Sequence, residues 1–165
     1  MELARYRARG FCYPPAMETR PLTKVDYDHI VNVIDRWWGG PTSALAHPMF
    51  FYELGRLARV VEEDGVLVGF LFGFRCPDAS VAYVHLVGIH PDYRRRGVAK
   101  MLYEAFERDV AKEGVKELKA ITTHGNEGSI HFHQALGWTT SEVEDYAGPG
   151  RTRIVFTKDI AATRS

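Results

Sequence analysis

The stretch VHLVGIHPDYRRRGVAKMLYEAF, Val84 to Phe106, narrows the possible folds more than any other part of the chain. It closes a run from Val81 to Ile89 that is apolar on both faces, the pattern of a strand covered on both sides. After Pro91 and three arginines comes a helix. Val98, Met101, Leu102, Ala105 and Phe106 recur at i, i+3, i+4, i+7 and i+8, and Gly114 ends the pattern. A doubly covered strand feeding straight into an amphipathic helix requires helices packed on a sheet.

The flanking segments supply the other layers. A short strand is predicted at Glu18–Leu22, and a helix from Asp26 to Trp37 that Gly39, Gly40 and Pro41 stop. A second, short helix is predicted over Pro48–Leu54. In ARVVEEDGVLVGFLFGF, Asp64-Gly65 between two β-rich runs signals a two-residue hairpin. Alternation places Val66, Val68, Phe70, Phe72 and Phe74 on one face of its second strand. Gly69 and Gly73 fall on the other, where something bulky packs closely. A strand at Val115–Thr122, a helix at Glu127–Leu136 and two strands between Trp138 and Ile160, joined through Ala147–Gly150, complete the order β-α-α-β-β-β-α-β-α-β-β.

The 165 residues suit one compact domain, and 45% hydrophobic residues allow a sizeable core. Residues 1–16 show no periodicity and are expected to form a flexible arm ahead of a domain at 17–165. With 21 basic and 21 acidic residues the net charge is zero, so there is no electrostatic case for nucleic acid or an anionic membrane as partner. No apolar run reaches the roughly 18–20 residues that span a bilayer. Cys12 and Cys76 make neither a disulfide framework nor a metal pair, so a reduced, cytoplasmic setting is expected. His131 and His133, two apart on a helix, point about 200° from each other and do not share an ion easily, so no metal is expected.

The turn before the central helix carries the chemistry. Helix N-termini have unpaired N–H groups and partial positive charge, and Gly97 would let a phosphate reach the backbone. Each charge-assisted hydrogen bond there is worth about 1.5–3 kcal/mol. Physics alone leaves a second reading open, a solvated basic loop. Neither GxxxxGK[ST] nor GxGxxG is present.

Arg94-Arg95-Arg96-Gly97-Val98-Ala99 resembles the [Q/R]-x-x-G-x-[G/A] signature of the GNAT superfamily of N-acetyltransferases, and Ile89-His90-Pro91-Asp92-Tyr93 resembles its lead-in. About thirty residues on, NEGSIHFHQALGW from Asn126 to Trp138 resembles the second signature, N-x-x-[A/S]-x-x-[F/L]-Y-x-x-x-G-[F/W]. The resemblance covers roughly Met17–Ile160. It implies an α/β (α+β) fold with a mixed, mostly antiparallel sheet of six to seven strands and about four helices. It implies acetyl-CoA as donor and a small-molecule or peptide amine as acceptor, attacking directly in a ternary complex; homodimers are common in the family. A CoA or acyl-CoA sensor of the same fold, without turnover, is the alternative.

The resemblance assigns the CoA pyrophosphate to the backbone of Arg95, Arg96, Gly97, Val98, Ala99 and Lys100, with Arg94, Arg95, Arg96 or Lys100 meeting the ribose phosphate. Val87, Gly88 and Ile89 would pair with the pantetheine arm and polarise the thioester, Gly88 permitting close approach. Asn126, Ser129 and Phe132 would contact the arm. His133 stands where the family often has a proton-donating tyrosine, and Tyr83 where some members have a catalytic glutamate. His85 is the candidate base, expected on the same side as Tyr83 and Val87; a hydrogen-bonded core histidine is the other reading. Trp37 and Trp38 either cap the core or wall the acceptor pocket, and Asp145 and Tyr146 are weaker acceptor-site candidates.

Overall fold

The computed structural model describes residues 16–78 and 80–161. The arm expected over 1–16 therefore lies, apart from Ala16, outside the described residues. A seven-stranded sheet has the order β1-β2-β3-β4-β5-β7-β6. The strands are β1 (Met17–Pro21), β2 (Arg59–Glu63), β3 (Val66–Arg75), β4 (Val81–Ile89), β5 (Glu117–Thr123), β6 (Thr139–Val143) and β7 (Arg153–Asp159). Only β4 and β5 run parallel. Such a pair needs a crossover, and α3 (Val98–Lys112) supplies it. The other helices are α1 (Lys24–Trp38), the single-turn α2 (Met49–Tyr52) and α4 (Glu127–Ala135), so the predicted order holds throughout.

Local chemistry sets the boundaries. Thr23 caps α1 in a reciprocal box with Asp26, which moves its start ahead of the expected Asp26, and Gly39 closes it at φ 77°. The predicted second helix shrinks to one turn of α-helix with 3₁₀ turns at Ser43–Ala46 and Gly55–Leu57 on either side. Asp64 and Gly65 both take positive φ, 51° and 79°, the conformation of a tight hairpin turn.

Two irregularities break the strict alternation expected from the sequence. Val61 pairs with Gly69 but Glu62 with Leu67, so Val68 is an extra residue on β3. The bulge sends Val68 into the cluster under α3, with Leu71, Leu102 and Phe106, while Leu67, Phe70 and Phe72 pack under α1 with Ile30, Ile34 and Trp37. Val68 thus leaves the face it was expected to share with Phe70 and Phe72. The glycines behave as expected: a Cβ on Gly69 would lie 2.6 Å from Val98, and one on Gly73 2.7 Å from Phe106, so α3 lies directly on them.

On β4, Phe72 pairs with Leu86 and Gly73 with Val84, which makes His85 the extra residue. Past this second bulge Leu86 packs under α1, and Val87 and Ile89 pack against the α3 cluster. Gly88 then faces Phe70, and a Cβ there would stand 2.4 Å from that fully buried ring. Gly88 is thus small to admit Phe70, a packing reason for the glycine that stands beside the close approach of a cofactor arm expected from the sequence. Gly88→Ala should lower stability by about 1–3 kcal/mol in a denaturant titration. Adding Phe70→Leu should recover part of that loss, because the two side chains contend for one space.

Candidate active site

The parallel pairing of β4 and β5 covers Val81–Val84 against Glu117–Ala120 and then stops, although both strands continue. The split begins at the His85 bulge. A cleft of about 980 Å³ follows it, walled by β4 and β5, the starts of α3 and α4, and Trp38 and Leu45 from the opposite face.

The edge of β4 at this split carries usable main-chain groups. Gly88 pairs with Phe70, and the His90 amide donates to the Val68 carbonyl at 2.9 Å. Bonding direction alternates along an antiparallel strand, so the N–H and C=O of Val87 and Ile89 point the other way, into the gap. Of the three residues expected to line the arm, these two offer their backbone there.

The next wall is the α3 N-terminus. A 3₁₀ turn at Pro91–Tyr93 leads into Arg94–Gly97, where Arg95 and Gly97 both lie in the left-handed region, at φ 59° and 81°. Met101 is the first residue to donate into the helix, to the Gly97 carbonyl at 3.0 Å. The amides of Val98, Ala99 and Lys100 precede that bond and have no intrahelical acceptor. No acidic residue occupies the first turn, and a Cβ at Gly97 would meet nothing within 4 Å, so the approach is open. The arginines divide. Arg94 donates to the Trp37 carbonyl and so ties this turn to α1. Arg96 pairs with Glu63 at 3.0 Å and lies 4.6 Å over the Tyr93 ring. Arg95 has no ion pair among the described residues, and Lys100 has only a 3.7 Å contact with Glu104. Of the four cations expected to meet a ribose phosphate, Arg95 and Lys100 are the less committed.

At the α4 start Asn126 accepts from the Ser129 amide at 3.2 Å and donates to Thr122 Oγ1 at 2.9 Å, capping the helix toward β5. Asn126, Ser129, Phe132 and His133 all line the cleft. His133 is buried and lies flat on Phe156 at 3.9 Å. Its Nδ1 lies 2.8 Å from the Ser129 carbonyl, which can only accept, so Nδ1 carries the proton. Its Nε2 therefore accepts from the Tyr103 hydroxyl at 3.0 Å. Burial pulls the His133 imidazole below its usual range, opposed by the bond to Ser129. The imidazole is neutral with both nitrogens occupied, so the proton donor expected from the sequence has no free N–H here. His131, in contrast, is exposed.

Tyr103 is the residue that sequence reasoning missed. It sits beside the apolar stripe of α3, and its spacing gives no sign of a polar role. Its hydroxyl is buried against His133 at the cleft wall, and burial pushes its phenol far above the usual range.

His85 and Tyr83 face the α1 side. His85 stacks on Phe50 at 3.7 Å, and Tyr83 meets Phe74 at 5.7 Å. Val87 lies on the α3 side instead, because the bulge at His85 breaks the alternation expected to keep the three together. His85 Nε2 donates to the Leu45 carbonyl at 2.9 Å, which leaves Nδ1 as a bare lone pair. Burial holds the His85 imidazole below its usual range, partly offset by the Leu45 bond, so it is neutral at pH 7. Burial pushes the Tyr83 phenol up to about 12, with smaller contributions from Tyr146 and Cys76 nearby. The two tryptophans split: Trp37 is buried on Phe70, while Trp38 is 39% exposed and walls the cleft. Tyr146 lies under Lys119 at 5.4 Å, and Asp145 accepts from the Gly150 amide at 2.7 Å to close the β6–β7 link. Burial raises the Cys76 thiol, which keeps it protonated and a poor nucleophile.

Known proteins resemble this chain in sequence and in fold. Aminoglycoside N(6')-acetyltransferase type 1 of Salmonella typhimurium is 29% identical over 136 residues, 76% of this chain and 94% of that protein. Amino-acid acetyltransferase of Mannheimia succiniciproducens is 28% identical over 86 residues, 52% of this chain but only 19% of that larger protein. Among solved structures, the ribosomal-protein-S18-alanine N-acetyltransferase of Escherichia coli superposes with a TM-score of 0.74 at 19% identity, over 88% of this chain and 94% of that one. An aminoglycoside 6'-N-acetyltransferase complexed with coenzyme A gives 0.69 at 16% identity, over 88% and 97%. The model of the Acetyltransferase (GNAT) family matches residues 21–138, from the end of β1 to the last residue of the second motif. With split strands, an open left-handed turn ahead of α3 and a matching sequence over most of its length, this chain belongs to the GNAT family of acetyltransferases.

Proposed function

We infer that the chain moves an acetyl group from acetyl-CoA to a primary amine by direct attack in a ternary complex. The observation that carries this reading is the β4–β5 split opening beside helix-start amides that lack acceptors. The amides of Val98, Ala99 and Lys100 suit a diphosphate. The outward main chain of Val87 and Ile89 suits an amide-bearing arm, with one N–H left to polarise a thioester carbonyl. Acetyl-CoA supplies the activated acyl group.

Proton demands rank the side chains. An alkyl amine with pKa near 10 is about three units from neutral at pH 7, roughly 4 kcal/mol, whereas a thiol near 8.5 that leaves as thiolate lies only about 2 kcal/mol above its protonated form. The base is therefore the more demanding requirement, and His85 Nδ1 is neutral and unengaged. As the N–C bond forms, the amine proton passes to His85 Nδ1, and the electron pair of the broken C–S bond leaves on sulfur. His133 holds the Tyr103 hydroxyl at the cleft wall. That phenol gives its one hydrogen to His133 Nε2, so it has none to offer a leaving thiolate, and the sulfur takes its proton from solvent. The protonated Cys76 thiol gives no support to a covalent acyl-enzyme.

A thiol-release assay with acetyl-CoA and a broad amine panel, run beside a CoA titration, tests this. Saturable CoA binding and amine-dependent release are expected. Binding without release from any amine would make the chain a CoA-binding module instead, and absence of binding would reject the site.

A further inference from the structure

The acceptor side of the cleft has a definite charge. Along β5, Leu118 and Ala120 pack in the α3-side cluster, so Lys119, Ile121 and Thr123 face the α1 side with Tyr83 and His85. On β7, Ile154 and Phe156 belong to the same α3-side cluster, so Arg153, paired with Thr123, also faces the α1 side. Arg153 lines both the cleft and the adjoining depression. Its guanidinium donates only to the neighbouring Thr152 carbonyl, at 3.0 Å, and has no ion pair among the described residues. Lys119 meets the Tyr146 ring and has no ion pair among the described residues.

Among the described residues no carboxylate lines the cleft. Asp35, in the last turn of α1, and Asp145, on the β6–β7 link, are turned onto the amides of Thr42, Ser43 and Gly150. Glu142 lines the depression but pairs across with Ile154, which sets it on the α3 face, and it lies 3.5 Å from His124. A polycationic amine would enter a cleft that holds Arg153 without an ion pair, with Lys119 on the same face of the sheet beside it.

Resting on the acetyl-transfer reading, the geometry points to a small amine that itself carries a carboxylate, an amino acid rather than a polycation. Arg153 takes the carboxylate, His85 faces the amine, and the exposed apolar surfaces of Trp38 and Leu45 receive an apolar side chain. This separates the chain from the aminoglycoside acetyltransferase that it matches over most of its length.

The full chain would be assayed by thiol release with acetyl-CoA against free L-amino acids, their carboxamides, kanamycin and spermidine. Free amino acids are expected to give kcat/KM at least about tenfold above their carboxamides, the worth of one charge-assisted hydrogen bond. Arg153→Gln should collapse that ratio toward one, and Arg153→Lys should keep part of it. CoA affinity unchanged in both variants shows that they are folded. Release with kanamycin or spermidine in preference to amino acids would overturn the acceptor class and leave acetyl transfer standing. An unchanged ratio in Arg153→Gln would overturn the role of Arg153. Silence from every amine would overturn both readings.

Discussion

Replacing His85 by Ala is expected to lower kcat by about 100-fold or more while acetyl-CoA affinity stays within twofold, since positioned bases contribute about 10²–10⁴. The separation follows from geometry. His85 sits on the bulge at the split, its Nε2 spent on the Leu45 carbonyl and its Nδ1 unengaged, and it faces away from the α3 turn that would hold the diphosphate. The pH profile is a second check. Only neutral His85 can accept a proton, and burial lowers its pKa, so the acid limb of kcat should fall below the ordinary histidine value of about 6.5 and vanish in the Ala variant. An unchanged turnover would leave His85 as a stacked, hydrogen-bonded core histidine. The same shift has a consequence for stability. His85 and His133 are both harder to protonate folded than unfolded, so the unfolded chain binds more protons below about pH 6.5. Stability should therefore decline as pH drops from there through the folded values.

Gly97→Asp is expected to weaken CoA binding about 100-fold or more with little loss of fold. A Cβ at Gly97 meets nothing within 4 Å, and aspartate tolerates the left-handed region better than most residues, so the cost to the free protein is about 1 kcal/mol. The new carboxylate would stand at the mouth of the α3 amides, where it repels a diphosphate and competes for its donors. Gly97→Asn adds the same bulk without the charge and should lose clearly less. Calorimetric titration of the two variants separates electrostatics from backbone strain. Equal affinity in wild type and Gly97→Asp would mean that the diphosphate binds elsewhere.

Much of this was legible before any coordinates. The order of elements, the Asp64-Gly65 hairpin, the close packing of something bulky on Gly69 and Gly73, and the glycine turn ahead of α3 follow from local rules, because hydrophobic period, turn residues and helix caps act over a few neighbours. The two motifs were legible for the same reason, each being a contiguous run. What failed was strict alternation on β3 and β4. The bulges at Val68 and His85 come from how neighbouring strands fit two helix layers, and nothing in either strand's own pattern marks the extra residue.

By itself, the sequence determined the layers, the family and the glycine turn that starts α3, since these depend on residue type and short-range spacing. Only the tertiary structure decided which side His85 faces, that Gly88 makes room for Phe70, that Tyr103 occupies His133, and that Arg153 stands without a counter-ion on the acceptor face. Each of these depends on contacts between residues 18 to 40 positions apart, or on a missing contact, and such distances are set by packing rather than by period.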